Sequence, residues 1–303
     1  MPELPDITVY AEALEARVVG TPLLRVLVSD PFVLRTAAPP IDSLVQARIT
    51  SVSRLGKRLV FAFEGNRWLV LHLMVAGRLH WAPQVGGTKT KAPRGLASFH
   101  FPNGVLTLSE AGTQRRASLH VVTSPERLAA HNPGGLEVAG SSLEAFRQAL
   151  TRENHTLKRA LTDPHLFSGI GNAYSDEILH AAGLSPVTLS QKLDSEEVER
   201  LHRTTQRVLA EWTDRLRREN RDQFPSHVTA FRPGMAVHGR FGQPCPVCQT
   251  AVQRIRYAAN EVNYCPRCQT EGKLLADRSL SRLLKSDWPR SIDEAEARRD
   301  AHR

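Results

Sequence analysis

The 303-residue chain carries 40 Lys and Arg against 31 Asp and Glu, a net charge of +9, and 41% of its residues are hydrophobic. That apolar share excludes wholesale disorder, the length suits two domains better than one core, and no run of 18 apolar residues is present to span a membrane. The start, Met1-Pro2-Glu3-Leu4-Pro5-Asp6, lacks the stretches of a secretory signal, and all four cysteines fall within Cys245–Cys268 rather than forming a disulfide scaffold, so the expected compartment is the cytoplasm.

In chain order, a first helix is predicted over residues 5–19, with Val9, Leu14 and Val18 among its apolar positions. From Leu23 to about Val122 short β-rich runs follow, such as 24–28, 59–63 and 68–73, punctuated by turn residues as in an antiparallel sandwich. Residues 84–95 read as a mobile loop. After His131-Asn132-Pro133-Gly134-Gly135 the periodicity becomes helical, over Leu143–Leu150, Leu157–Leu161 and Ala173–Ala182. A long amphipathic helix is predicted over Asp194–Asn220, with Val198, Leu201, Val208, Leu209, Trp212 and Leu216 inward and Asp194 or Ser195 as its cap. Leu275, Leu280, Leu283 and Leu284 have near-helical spacing, and a helix is expected over Leu274–Lys285, packed on the domain or presented to a protein partner.

The fold class expected is α+β and multidomain. A β-sandwich with an N-terminal helix occupies residues 1–131, a helical domain residues 132–235, a small metal module residues 236–270, and an extension residues 271–303. The basic excess sits in residues 1–135, with 15 basic against 9 acidic side chains, and in residues 236–270, with 4 against 1. That distribution suits a polyanionic partner, and equally simple solubility.

Three motifs carry chemistry. Cys245-Pro246-Val247-Cys248 and Cys265-Pro266-Arg267-Cys268, 16 residues apart, are two CxxC knuckles that place four thiolates around one Zn2+. With every position filled by sulfur, such an ion is structural. Gly169-Ile170-Gly171-Asn172 before a helix start aims backbone N–H groups at an anion, although these residues read equally as a tight turn. Pro2 becomes a secondary amine if Met1 is removed, and an α-amino group with a pKa of about 8 has a neutral, nucleophilic fraction at physiological pH. Glu3 adjoins it and could exchange protons. Two residues alone do not distinguish this from an ordinary proline.

Taken in order, MPELPD, Lys57, GIGNAYSDE and CxxC-x16-CxxC resemble the formamidopyrimidine-DNA glycosylase/endonuclease VIII family over residues 1 to about 270. The resemblance implies a bifunctional DNA glycosylase and AP lyase of base excision repair, with damaged DNA as partner and a monomeric chain. It implies Pro2 as the nucleophile that forms a Schiff base, Glu3 as acid/base, and Lys57 at the phosphate or lesion. Asn172 and Lys158 would bind phosphates through a helix–two-turns–helix motif, and the C-terminal module would be a β-hairpin zinc finger. Departures are also visible. The family's inserted methionine position holds Val75, its aromatic wedge position holds Ala117 after the retained Arg115 and Arg116, and its finger arginine position holds Asn260, with Arg254 and Arg256 as substitutes for it. Asp6 replaces a glutamate. The segment Arg221–Val237 is short for a loop that caps 8-oxoguanine, which favours the endonuclease VIII-like branch. Short wedges favour single-stranded or unpaired DNA. A catalytically silent DNA-binding homologue is the alternative, and an RNA-binding protein would leave the N-terminus unaccounted for.

Overall fold

The computed structural model describes residues 1–84, 95–111, 115–225, 228–257, 260–277 and 288–300, without the side chains at 257, 260, 299 and 300. These residues fall into two compact units, Met1–Pro133 with Glu211–Ala230, and Gly134–Ala210 with Phe231–Arg303.

The first unit opens with α1 (Leu4–Val18), whose proline lies in the first turn, where no intrahelical N–H is required. Ile7, Tyr10, Leu14 and Val18, three or four residues apart, form one fully buried face. Two antiparallel four-stranded sheets follow. They are built from β1 (Arg25–Val28), β2 (Ile49–Leu55), β3 (Arg58–Phe63), β4 (Arg67–His72), β5 (Gly77–Pro83), β6 (Ala97–Phe101), β7 (Gly104–Glu110) and β8 (Ser118–Val122). Their orders are β1-β6-β7-β5 and β2-β3-β4-β8. Leu59, Phe61 and Leu71 of one sheet and Leu79, Phe99 and Leu108 of the other share a core with the α1 face, Phe224 and Val228. On the other face of β3, β4 and β8, Val60, Val70 and Val122 pack with Leu128 of α2 (Pro125–Ala129).

Register decides what lies where. The row Arg58–His72–Ser118 across β3, β4 and β8 brings the β2–β3 turn, the β4–β5 turn and the entry to β8 to one end of the sandwich. Gly77 opposite Glu110, Ala97 opposite Leu108 and Val28 opposite Ala97 put the β7 and β1 exits at that same end. Of the loop expected over 84–95, Gln84 still donates to Asn103 at 3.0 Å; residues 85–94 lie outside the described part.

In the second unit α3 (Leu143–Thr151), α4 (Leu157–Thr162), α5 (Asn172–Ala182) and the first part of α6 (Ser195–Glu219) bury Phe146, Leu150, Leu161, Phe167 and Leu201. Asp194 caps α6 through a reciprocal pair. Glu197 N–H donates to Asp194 Oδ1 at 2.8 Å, and Asp194 N–H donates to Glu197 Oε2 at 3.1 Å. All six inward positions predicted for this helix are buried. Then come the hairpin β9 (Gln253–Tyr257) and β10 (Asn260–Tyr264), α7 (Pro266–Thr270) and α8 (Ile292–Asp300).

The helix expected over Leu274–Lys285 does not begin there. Leu274 N–H donates to Arg290 O and Leu275 N–H to Tyr264 Oη, so the chain leaves the last knuckle extended; residues 278–287 lie outside the described part. The extension returns to the finger instead. Ile292 N–H donates to Gly272 O at 2.8 Å, and Arg267 pairs with Asp293 at 2.5 Å. Among the described residues, no helix is long and apolar enough to cross a membrane.

Candidate functional site

At the N-terminus, Glu3 is the N-cap of α1 and 2% exposed. Its carboxylate accepts the Asp6 backbone N–H, while the Asp6 carboxylate accepts the Glu3 N–H at 2.9 Å. This box fixes the Glu3 side chain at the positive end of the helix, beside the buried Pro2. The terminal ammonium, on Met1, has its pKa lowered from the ordinary value. Burial is the main cause, and Arg78 and Lys57 push the same way against Glu3 and Asp6. An amine in this setting is biased towards its neutral, nucleophilic form.

Lys57 follows Gly56 (φ +60°) in the tight β2–β3 turn, at the sandwich end that the register defines. Arg78, which sequence reasoning missed, donates to the carbonyls of Gly77 at 2.7 Å and Val75 at 3.3 Å. Its only signal was its place just after the β4–β5 turn. That turn is closed by Gly77 N–H to Leu73 O at 2.9 Å, with Met74 at φ +53°. A Cβ on Gly77 would lie 2.2 Å from Leu73 O, so only glycine fits. Val75 stands at the tip, 58% exposed.

In the entry to β8, the Arg115 guanidinium meets Asp30 Oδ2 at 2.6 Å. The exposed Arg116 and the next residue, Ala117, donate their backbone N–H groups to Glu110 Oε2 at 2.8 and 3.0 Å. Ala117 corrects the sequence reading. Its side chain is 2% exposed and lies in the sandwich core, so that position is not a loop tip at which a wedge has been shortened. Nearby, burial first and the Arg58 cation next lower the His72 pKa to about 4; burial and then His131 lower that of His120 to about 4.

In the second unit, Gly171 is the N-cap of α5 and offers no side-chain cap. Asn172 Nδ2 donates to Glu261 O of β10 at 2.9 Å, which joins this helix start to the finger hairpin. The Lys158 ammonium, expected at phosphate, points inward. It donates to Asn172 O at 2.6 Å and pairs with Asp176 Oδ1 at 2.5 Å, with only 10% of its side chain exposed. Asp176 is wholly buried, and its other oxygen lies 2.7 Å from His238 Nδ1. The neighbouring Glu177 accepts N–H groups from Ala236, Val237 and His238; burial raises its pKa against their pull. Sequence reading took these carboxylates as letters of a motif, yet they clamp the segment that leads into the finger.

In that finger the four Sγ atoms lie within 4.8 Å of one another. Neighbouring pairs are 3.3 to 3.8 Å apart, close to the edge of about 3.8 Å for a tetrahedron with Zn–S of about 2.3 Å. His180 Nε2 lies 3.3 Å from Cys245 Sγ, a contact that orients one ligand from α5. The donor set and spacing fit one structural zinc. Arg254 and Arg256 both pair with Glu261 Oε2, at 3.2 and 3.4 Å, and Arg254 lies over the Phe241 ring at 4.1 Å. Asn260 starts β10 opposite Tyr257; its side chain is outside the described part.

Residues 1–118 match the family model for the formamidopyrimidine-DNA glycosylase N-terminal domain, residues 137–216 that for its H2TH domain, and residues 242–270 that for the zinc finger found in FPG and IleRS. The chain is 34% identical over 281 residues to a formamidopyrimidine-DNA glycosylase of Thermus thermophilus, covering 90% of this chain and all of that one. It is 30% identical over 276 residues to one of Exiguobacterium sibiricum, covering 89% and 99%. Among solved structures, Lactococcus lactis Fpg with an abasic site containing DNA has a TM-score of 0.77 at 23% identity, covering 88% of this chain and 99% of that one, a likeness of fold. Fold and site define a zinc-finger, DNA-binding repair enzyme. The chain belongs to the formamidopyrimidine-DNA glycosylase family, whose members are DNA glycosylases and AP lyases.

Proposed function

We propose that this chain excises damaged bases through a Schiff base on Pro2 and then cleaves the strand as a lyase. The observation that carries this reading is the buried Pro2 directly beside Glu3, whose carboxylate the capping box holds at the start of α1. Once Met1 is removed, the Pro2 nitrogen lone pair forms a bond to C1′ of the damaged nucleotide, the C1′–base bond breaks with the electron pair leaving on the base, and the proton of the attacking nitrogen passes to the departing base. Glu3 donates a proton to the sugar-ring oxygen, so the ring opens to an iminium ion. Loss of a C2′ proton then expels the 3′ phosphate by β-elimination, and water releases the amine. Because a duplex hides C1′, the nucleotide must be extruded and its backbone held. We assign this role to Lys57, Arg115 and Arg116, and to Asn172, Arg254, Arg256 and Asn260, with Lys158 setting the position of the Asn172 carbonyl.

The substrate preferred is a lesion in single-stranded or unpaired DNA. Val75 is too short to span a base step and Ala117 is in the core, so little replaces an extruded base in an intact duplex. The short segment 221–237 favours an endonuclease VIII-like choice of oxidised pyrimidines over 8-oxoguanine. The test is borohydride trapping on abasic oligonucleotides followed by peptide mapping. The expected adduct is on Pro2, it is abolished when Met1 is retained, and Glu3→Gln slows base excision at least about 100-fold. An adduct on Lys57 would overturn the assignment. No adduct with Pro2 shown free by mass spectrometry would favour a silent DNA-binding homologue, the reading suggested by Asn260.

A further inference from the structure

Phe32 has the highest exposure among the large apolar side chains described, 80%. One exposed phenylalanine is ordinary; the way this one is held is not. It sits in a single 3-10 turn, Pro31–Val33, whose proline limits the backbone and whose Val33 is buried at 3%. Beyond the turn, Arg35 N–H donates to Leu119 O at 2.8 Å, so the segment is pinned to β8. Asp30 orders both sides of the ring's base: Oδ1 accepts the Phe32 N–H at 3.1 Å, and Oδ2 takes the Arg115 guanidinium at 2.6 Å. A flat apolar face is thus presented on a fixed stem with a planar cation beside it. It lies at the β1 exit, the sandwich end that also carries Lys57, Arg78 and Val75.

We propose that Phe32 is a base-stacking residue, which with Arg115 receives an unpaired base of the bound strand next to the damaged nucleotide. The inference rests on the DNA glycosylase reading above and adds the group that binds unpaired DNA. Every base has an apolar π-face, so an aromatic ring accepts any of them, and a guanidinium alongside adds cation–π attraction and a phosphate contact. An unpaired base is available in single-stranded DNA without breaking a pair, which is where a protein with so short a Val75 gains most from such a ring.

The experiment compares wild type, Phe32→Ala and Phe32→Trp on a single-stranded oligonucleotide with an abasic site flanked by 2-aminopurine. Binding is followed by fluorescence quenching and chemistry by single-turnover trapping. Phe32→Ala is expected to raise the half-saturating concentration about tenfold and to abolish the quenching, with the saturated trapping rate within about twofold of wild type. Phe32→Trp is expected to restore both affinity and quenching. Equal affinity and quenching in wild type and Phe32→Ala would overturn the proposal, and so would Phe32→Trp no better than Phe32→Ala. Quenching requires no chemistry, so a wild type that has Pro2 free by mass spectrometry and binds but does not trap refutes the glycosylase reading while leaving the stacking test readable.

Discussion

His72 and His120 lie on adjacent strands of one sheet, and each is held near pKa 4 against an ordinary 6.5, His72 by burial and then Arg58, Lys57 and His120, His120 by burial and then His131, Arg58 and Arg35. The folded protein keeps both neutral down to about pH 4, whereas the unfolded chain protonates them below 6.5. Their contribution to stability is therefore complete above pH 6.5 and is lost as pH falls towards 4, by roughly 1 kcal/mol each after allowance for solvent screening. Thermal melts at pH 7 and pH 4.5 should show this loss, and His120→Gln should flatten it; an unchanged pH slope in the variant would refute the assignment. Asp176 poses the opposite case, a wholly buried anion between Lys158 and His238. Asp176→Ala leaves the Lys158 cation without its buried partner and should cost about 3–5 kcal/mol, read as a lowered denaturant midpoint for the second unit. A loss below about 1 kcal/mol would mean that solvent reaches the ammonium.

At the scale of elements, the finger is the one whose existence depends on something besides its own side chains. Among the described residues, the buried aliphatic side chains that cluster with the cysteines are Val237 and Val252, and the hairpin adds a small cluster of Ile255, Val262 and Tyr264, so the metal supplies what so small a core lacks. Chelation is expected to abolish DNA binding and melt residues 236–270 while the calorimetric transition of the first unit persists; elemental analysis should find one zinc per chain. Loss of the first unit's transition on chelation would sink this separation. The finger was also the most legible element, because thiolate spacing encodes its ligand geometry directly. The α6 register and the β3 and β4 runs were legible for a similar reason, since period and burial coincide in them. The direction of the Lys158 ammonium, the burial of Ala117 and the extended chain at Leu274 were not legible. Each is decided by a partner distant in sequence, Asp176, the sandwich core and Arg290 respectively, and no local period carries that information.

At the scale of the molecule, the charge of +9 is concentrated where the candidate contacts lie. If Lys57, Arg78, Arg115, Arg116, Arg254 and Arg256 each neutralise one phosphate of a single strand, log Kd against log salt should have a slope near 4, at about 0.7 per contact. Arg116→Gln should reduce it by about 0.7, measured by fluorescence anisotropy over a salt series, whereas a slope near zero would refute electrostatic binding. The division of the chain has a further consequence, for the order of events at the ribosome. Phe224, whose ring lies 5.7 Å from that of Tyr10, and Val228 complete the sandwich core from just over a hundred residues beyond β8. The finger waits longer still, since its last knuckle is joined to Ile292 and Asp293. A nascent chain therefore displays an unfinished sandwich while the helices are being made, and a message cut short at the last cysteine yields a protein whose zinc module was never latched.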